Sequence, residues 1–421
     1  MKKMLFVGAA FLSSLAFAVP SQITLKSEEK PVTNGWADMG ALHYAQSGAA
    51  IVIDDEHFPS AQAKLQAFTN AIASGSVSSY SLNDTPAFII LSGTVDLSGG
   101  KVSDNDHSYF DQFDPKTHAR LHGDFMYDVG SNKTIIGVNN AKIAYGGLRI
   151  RASSSSGRKN IIIRNINFWD AHGSTEYDTK IDEYSGKKAS ADQLVIEGTE
   201  DKSTKSRYIY VPEDIWIDHC SFSDGVCVDL DRNYNHDGAL DIKCAKNVTV
   251  SFCEFTNHDK VTLSGSSDKF VTPEEREVTF HNNYYHGCVQ RMPRTRGGYF
   301  HLYNNVFDNI GTSKNSGASL GPGKGAQFIV ENNFFGKHAG KILRAADNSK
   351  KEDATFYKIY ANGNSPELSA SNTEGFTAHK VAEKPWTVPY KYSLQSAEKA
   401  KASVVSEAGS GASVVINGKK Y

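Results

Sequence analysis

Six variants of one short pattern follow one another along the chain from residue 161 onward. Each variant is a strand-forming run, then a polar or small pair, then an aromatic residue: IIIRNINFWD, IWIDHCSFSD, VTVSFCEFTN, VTFHNNYYHG, FHLYNNVFDN and FIVENNFFGK. Repeats of about 22 to 33 residues that hold short strands and turns, but no long helix, are typical of stacked coils. Aligning the variants brings six aromatic residues to one position: Phe168, Phe222, Phe255, Tyr285, Phe307 and Phe335.

This pattern predicts an all-β fold, a single-domain right-handed parallel β-helix. A β-propeller would need four antiparallel strands per blade and longer, more regular repeats. An α-solenoid is excluded because the repeats are rich in Val, Ile, Phe and Tyr, which favour strands. No linker rich in Pro or Ser divides the chain, so we expect one domain over residues 19–421.

Stacking also predicts that equivalent side chains of consecutive coils meet. Asn283, Asn305 and Asn333 hold the same place in three repeats. We expect their amides to form a ladder at the spacing of neighbouring strands, about 4.8 Å. Cys220 and Cys253 hold that place in two earlier repeats. They are either disulfide-bonded or two stacked, buried thiols.

A short helix is predicted ahead of the repeats, at residues 60–73. The sequence SAQAKLQAFTNAIA places Leu65, Phe68 and Ile72 at helical spacing behind Ser60 as the N-cap. We expect this amphipathic helix to cap the N-terminal edge of the solenoid. Beyond residue 336 the pattern fades, and the tail predicts one or two further coils and a short terminal helix.

The first residues predict export. Lys2 and Lys3 precede an apolar run over 4–17, and AFA at 16–18 has the form of a cleavage site. We therefore expect a signal peptide over 1–18, which is too short to span a membrane. No other long apolar run follows, so we expect a soluble, secreted protein, in the periplasm or the medium, with no membrane association. Without its two lysines the chain is more acidic than its formal net charge of −2, which argues against general nucleic-acid binding.

Two charged segments are candidates for a binding site. The segment VQRMPRTRGG holds Arg291, Arg294 and Arg296, with Pro293 stiffening the chain between them. A guanidinium is a planar fork of donors that matches a carboxylate two bonds at a time. The segment is therefore either a site for a polyanionic ligand or a solvated basic loop.

The second segment, HDGALDIK, places Asp237 and Asp241 four residues apart, with Gly238 allowing a tight turn. Asp192 stands at the start of an upstream strand. Three carboxylates brought together would bind a hard cation, and calcium is the natural one outside the cell. The preceding run DLDRNYNHDG fails as an EF-hand loop because Cys244 stands where the closing Glu is needed. We interpret Asp229 and Asp231 in that run as a polar surface turn.

Four motifs resemble those of the pectate lyases of the pectate/pectin lyase superfamily. In chain order they are IWIDHCSF, HDGALDIK, HDKVTLSGSSD and VQRMPRTRGGYFHLYNN. Weaker matches are GTVDL, TIIGV, NIIIRNINF and the tail, so that the resemblance extends over roughly residues 85 to 411. The chain departs from the family pattern in two ways. GWADMGALHY replaces a glycine-rich N-terminal stretch, and long polar insertions occur at 99–124 and 171–190. A further insertion separates the strand of Asp192 from WIDH.

The resemblance implies a parallel β-helix that cleaves polygalacturonate by calcium-dependent β-elimination and leaves an unsaturated sugar. Because an arginine gives up its proton only at high pH, a catalytic arginine implies activity that rises into the alkaline range. We expect a monomer. Carried over by motif, the site residues are Arg291 as catalytic base, Lys260, Arg296 and Arg294 as substrate binders, Asp192, Asp237 and Asp241 as calcium ligands, and Asp218 and His219 as structural residues buried beside the site.

Three other functions are alternatives to this one. A polysaccharide hydrolase on the same fold would need two or three carboxylates around the bond and no calcium. A pectin lyase that acts on methyl-esterified substrate would dispense with the metal, and the acidic positions speak against it. A non-catalytic glycan-binding solenoid would keep the ladders but would have no need of Lys260 together with the three arginines.

Overall fold

The computed structural model describes residues 22–27, 29–44, 50–72, 84–110, 112, 114, 116–117, 121–153, 155–173, 177–178, 183–184, 191–228, 230 and 236–421. The predicted signal peptide lies outside these residues, as do Asp229 and Asp231 and much of the insertion at 171–190.

Most strands stack in parallel and form three faces of a solenoid. Face A contains Ile51–Ile53, Ala87–Asp96, Lys133–Ala144, Lys159–Arg164, Glu213–Asp218, Ala245–Ser251, Arg276–His281, Tyr299–Tyr303, Gln327–Glu331 and Lys358–Asn362. Face B contains Asn167–Trp169, Ser221–Ser223, Glu254–Thr256, Tyr284–His286, Val306–Asp308 and Phe334–Phe335, and it joins face A through the long strand Lys133–Ala144.

Face C carries the third strand of each coil. Its strands are Met126–Asp128, Gly147–Arg151, Leu194–Glu197, Leu240–Ile242, Leu263–Ser264, Arg294–Thr295, Leu343–Arg344 and Thr373–Glu374. Single bridges, Arg294 to Gly321 and Leu320 to Leu343, continue the stack between the later strands. The three stacked faces confirm the predicted right-handed parallel β-helix.

The interior confirms the predicted alignment of the repeats. The six aligned aromatic rings form one continuous stack in which neighbouring centroids are 4.8 or 4.9 Å apart. Stacking of this kind adds about 0.5 to 1.5 kcal/mol per pair beyond the burial of apolar area. A one-residue shift would break the stack and turn the buried side chains outward, so the rings hold the coils in register.

The predicted asparagine ladder is also present. Asn283 Nδ2 donates to Asn305 Oδ1 at 2.9 Å, and Asn305 Nδ2 donates to Asn333 Oδ1 at 2.9 Å. One further coil extends the ladder to Asn364. In each repeat, the residue directly before the ladder position makes the turn between faces A and B. This residue has a positive φ, which is 54° in Asn282. Asparagine tolerates this conformation better than most residues, which explains why it occupies this position in four of the six repeats, whereas His219 and Phe252 occupy it in the other two.

Both predicted helices are present, one at the N-terminal end of the solenoid and one on the outer side of face B. Helix Ala61–Ile72 packs Leu65, Phe68 and Ile72 into the core at the N-terminal end, and Ser60 Oγ accepts from Ala63 N as a cap. The terminal helix, Ala397–Glu407, contacts face B through Val404.

Shorter elements complete the described chain. Helix Phe376–His379 and the 3₁₀ turns Trp36–Met39, Pro273–Glu275 and Asn348–Lys350 lie between the strands. Ile23–Leu25, Val414–Ile416 and Lys419–Lys420 form a small sheet, Tyr177–Asp178 pairs with Glu183–Tyr184, and Thr199–Glu200 pairs with Tyr208–Tyr210.

All five cysteines lie in the described part of the chain, and all are free thiols. Of the two alternatives for Cys220 and Cys253, the structure therefore has stacked, buried thiols, which donate to backbone carbonyls such as Ile163 O and Ser251 O. None of the helices that the structure describes has both the length and the apolar character needed to cross a bilayer.

Candidate active site

Consecutive coils place the site candidates opposite one another, immediately before the strands of face C. Asp192 precedes Leu194–Glu197, and its Oδ1 accepts a 2.7 Å hydrogen bond from Gly238 N in the next coil. Gly238 forms a parallel bridge with Lys260, which in turn bridges Gln290. Because neighbouring strands are about 4.8 Å apart, side chains at this edge of successive coils lie within reach of one another.

Two buried carboxylates converge on one glycine. A Cβ atom on Gly238 would lie 2.5 Å from Asp241 Oδ1 and 2.8 Å from Asp192 Oδ1, so a side chain at this position would displace one of them. Both aspartates are only 5% exposed. The third predicted ligand, Asp237, is adjacent to Gly238 and more exposed. The structure thus brings Asp192 and Asp241 together at Gly238, and the charge of Asp237 acts on both of them.

The electrostatics of this group fit a divalent cation. Burial raises the pKa of Asp192 well above its usual range, and the negative charges of Asp241 and Asp237 raise it further. Burial also raises the pKa of Asp241 to about 6, although a 2.8 Å hydrogen bond from Leu263 N opposes the rise. A hard cation with oxygen ligands would relieve this repulsion, so the residues present suit calcium.

Arg291 lies at the same edge, in the coil after Lys260. Its carbonyl oxygen accepts a 2.7 Å hydrogen bond from Thr262 N. Its φ of 65° is in the left-handed region, which costs a non-glycine residue backbone strain and is found more often at functional sites. Its Nε is buried and has no hydrogen-bond partner within the described part of the chain. Arg291 also opposes the rise in the pKa of Asp241, so its charge acts on the carboxylate group.

The other two arginines of the loop already have protein partners. Arg294 Nη2 donates to Ala346 O at 2.9 Å, and burial, then the charges of Arg296 and Arg291, lower the pKa of Arg294. Arg296 Nε lies 2.5 Å from Asp268 Oδ1. A substrate carboxylate would have to compete with Asp268 for Arg296. Asp268 ends the HDKVTLSGSSD segment, but nothing in its spacing identified it as this partner.

A histidine that the sequence analysis missed holds the backbone of Asp237 in place; the segment Asp237–Asp241 is called the carboxylate loop below. His258 Nε2 lies 2.8 Å from Asp237 O, and His258 Nδ1 lies 2.5 Å from Asp224 Oδ1. Its position two residues before Lys260 was a signal that could have been used, because both residues then belong to the coil that faces Asp237. Lys260 Nζ itself lies 2.8 Å from Asp237 Oδ1.

Asp218 and His219 are structural, but they do not lie beside this group. Asp218 is buried on face A, where it pairs with Arg164 at 2.6 Å and accepts from Ser251 Oγ at 2.5 Å. His219 Nδ1 also lies 2.6 Å from Asp218 Oδ2. Among the described residues, the hydrogen-bond partners of Asp218 include none of the predicted site residues. Asp218 is buried as predicted, whereas His219 is only partly buried. The predicted location beside the site is wrong, because WIDH lies on face A.

Known proteins resemble this chain in sequence. A family model described as pectate lyase matches residues 15–413. Pectate lyase D of Dickeya chrysanthemi is 32% identical over 410 residues, which cover 92% of this chain and 91% of that protein. A pectate trisaccharide-lyase of Thermotoga maritima is 39% identical over 200 residues, and this match covers 46% of the chain and less than half, 42%, of that relative.

Solved structures agree with the fold. A pectate lyase bound to a hexasaccharide superposes with a TM-score of 0.62 at 22% identity, over 92% of this chain and 99% of that chain. A pectate lyase from Acidovorax avenae subsp citrulli gives a TM-score of 0.62 at 21% identity, over 97% and 99% of the two chains. At these identities the likeness establishes the shared solenoid fold.

Proposed function

Because this chain belongs to the pectate lyase family of polysaccharide lyases, we propose that it cleaves polygalacturonate by calcium-dependent β-elimination. The products would be oligogalacturonides with a C4–C5 double bond. One observation supports the proposal: consecutive coils bring two buried carboxylates together at Gly238 and set the Lys260–Asp237 ion pair beside them. The predicted signal peptide supports action outside the cytoplasm, in the periplasm or the medium.

Asp192, Asp237 and Asp241 would hold the calcium ion. When bound, calcium supplies positive charge that polarises the uronate carboxylate and so acidifies the neighbouring C5–H. The convergence of two of these carboxylates on Gly238 supports this assignment.

Lys260 and Arg296 would orient the uronate and stabilise the negative charge that develops on it. Charge that develops only in the transition state is where fixed donors accelerate a reaction most. Lys260 is close enough to the carboxylate group to pair with Asp237 at 2.8 Å. Arg294, whose Nε is buried and has no partner among the described residues, would be a further binder of the substrate carboxylates.

Arg291 would accept the proton from C5. The C–H electron pair then forms the C4–C5 double bond, the C4–O bond breaks, and the departing oxygen takes a proton from solvent. Because arginine side chains in general give up a proton only at high pH, an arginine in this role predicts an enzyme that favours alkaline conditions. The Nε of Arg291 has no hydrogen-bond partner among the described residues, so this nitrogen is left for a ligand.

The test is an assay on the purified protein with polygalacturonate, with added calcium or with a chelator. We expect the ultraviolet absorbance of the unsaturated product to rise only with calcium, and to be lost in Arg291→Ala. Arg344→Ala is the matched control, because Arg344 lies on face C but pairs with Glu374. Saturated products formed in the presence of the chelator would instead identify a hydrolase. Activity on methyl-esterified substrate without calcium would identify a pectin lyase, and binding without cleavage would identify a glycan-binding protein.

A further inference from the structure

A second group of metal-binding side chains lies outside the candidate calcium site. The ligand atoms of His107, Asp170, His172 and Cys227 all lie within 4.8 Å of one another. His107 belongs to the insertion at 99–124, His172 opens the insertion at 171–190, Asp170 follows strand Asn167–Trp169, and Cys227 follows strand Ser221–Ser223. Two of the family-atypical insertions therefore meet the solenoid at this group.

The spacing of these atoms is close to that of a tetrahedral zinc site. His107 Nε2 lies 2.8 Å from Asp170 Oδ2 and 3.9 Å from Cys227 Sγ, and His172 Nδ1 lies 3.8 Å from Asp170 Oδ1. With zinc–ligand bonds of about 2.0 to 2.3 Å, neighbouring tetrahedral ligand atoms are about 3.3 to 3.6 Å apart. Small side-chain rotations would bring the four atoms to that geometry.

One histidine points independently to a ligand. His172 is 6% exposed, and its Nδ1 has no hydrogen-bond partner among the residues that the structure describes. A buried polar atom without a partner costs free energy and is rare in folded proteins. The ring of His172 stacks on that of His107 with centroids 4.2 Å apart, so the two imidazoles are held side by side. A metal ion between them and Asp170 would satisfy the free nitrogen.

The types of ligand distinguish this group from the calcium site. Calcium takes oxygen ligands, whereas two imidazoles, a thiolate and one carboxylate suit a borderline divalent ion such as zinc. We propose that His107, Asp170, His172 and Cys227 bind one zinc ion. His236 would be an outer partner of the site. Its Nε2 lies 2.8 Å from Asp170 Oδ1 and holds that carboxylate in place, as outer partners of metal ligands do.

The zinc ion would fasten the two insertions to the solenoid close to the catalytic groups. His236 Nδ1 lies 3.6 Å from Asp224 Oδ2, and Asp224 holds His258, whose Nε2 contacts Asp237 O at 2.8 Å. A chain of polar contacts therefore links the cluster to the carboxylate loop. The role we assign to the zinc is structural: it positions the loops that border the site.

The first experiment measures metal content. The purified protein is stripped with a chelator, saturated with calcium to fill the carboxylate site, equilibrated with zinc, dialysed and analysed by elemental mass spectrometry. We expect one zinc per chain, and cobalt in its place should show a thiolate-to-cobalt charge-transfer band. Cys227→Ser and His107→Ala should weaken zinc binding by about tenfold or more. His57→Ala is the control, because His57 pairs with Asp54 at an exposed position.

Two further measurements keep the test independent of variant folding and of catalysis. Zinc should slow the alkylation of Cys227 in the unmodified protein, since the other four cysteines are buried. Asp237→Asn should keep its zinc whether or not the protein proves to be a lyase. Any of three results would overturn the assignment. The wild-type protein could bind no zinc, or the Cys227→Ser and His107→Ala variants could both bind zinc as the wild type does. The third such result is an alkylation rate that zinc does not change.

Discussion

Lys260 Nζ lies 2.8 Å from Asp237 Oδ1 and so joins two successive coils at the edge of face C. The pair sets a cation against one of the three carboxylates that would hold calcium. Binding of calcium to Asp237 would therefore compete with Lys260 and free its ammonium group for the substrate. The ion pair couples the two halves of the site.

Lys260→Ala should bind calcium more tightly in the absence of substrate, by a few-fold to about tenfold, because a competing positive charge is removed. The same variant should have a higher KM for polygalacturonate. Calorimetric calcium titration and steady-state kinetics measure the two effects, with Lys358→Ala, at an exposed position, as control. Weaker calcium binding in Lys260→Ala would contradict the competition.

Arg291→Ala should lower kcat by about 10² to 10⁴-fold, the usual contribution of a general base. Arg291→Lys should retain more activity, with a pH profile displaced to lower pH, because a lysine gives up its proton more readily than an arginine. Rate–pH profiles of the two variants and the wild type are the measurement. Profiles that coincide for Arg291→Lys and wild type would assign proton removal to another group.

Gly238→Ala should weaken calcium binding by about 10 to 100-fold, the range seen when groups that position metal ligands are changed. The added Cβ would meet Asp241 Oδ1 at 2.5 Å and Asp192 Oδ1 at 2.8 Å. Gly123→Ala is the control, since a Cβ there meets nothing within 4 Å. Calcium titration followed by calorimetry compares them, and equal affinities would mean that the two carboxylates do not act as ligands.

Asn305→Ala should destabilise the protein by about 2 to 4 kcal/mol, because buried partners lose their hydrogen bonds without gaining solvent. Asn305 Oδ1 accepts from Asn283 Nδ2, and Asn305 Nδ2 donates to Asn333 Oδ1 and Phe280 O. Denaturant unfolding measures the change, and Asn70→Ala, on the exposed side of a helix, should change stability by less than about 0.5 kcal/mol. A small effect at Asn305 would show that the rings alone maintain the register.

Glu254→Gln should stabilise the protein at alkaline pH. Burial raises the pKa of Glu254 to about 7, with a weak opposing hydrogen bond of 3.3 Å from Ser221 Oγ. The unfolded chain has a carboxyl pKa of about 4.3, so the folded state binds this proton more tightly, and stability falls as the pH rises from about 4.3 to about 7.

The gain in Glu254→Gln should be about 1 to 3 kcal/mol above pH ~8 and near zero at about pH 4. Thermal unfolding across this range measures it, and Glu352→Gln, at an exposed position, controls for the loss of one charge. A gain of equal size at both ends of the range would contradict the assignment to Glu254 ionisation.

The repeat pattern was sufficient to predict the solenoid. Aligned aromatic residues predicted the ring stack, and three aligned asparagines predicted the ladder, which the structure extends to Asn364. These features follow from sequence because a parallel coil places equivalent residues directly above one another. The motifs likewise predicted Asp192, Asp237, Asp241, Lys260 and Arg291 as neighbours. The limit of residues 19–421 for the domain and the signal peptide at 1–18 stay predictions.

Only the tertiary structure decided which partner each side chain takes. The sequence left Cys220 and Cys253 open between a disulfide and free thiols, and the structure has thiols. It did not reveal that Arg296 pairs with Asp268, or that His107 and His172 converge on Asp170. The reason is physical: register within the coils follows from local periodicity, whereas loops of irregular length meet only through the packing of the folded chain.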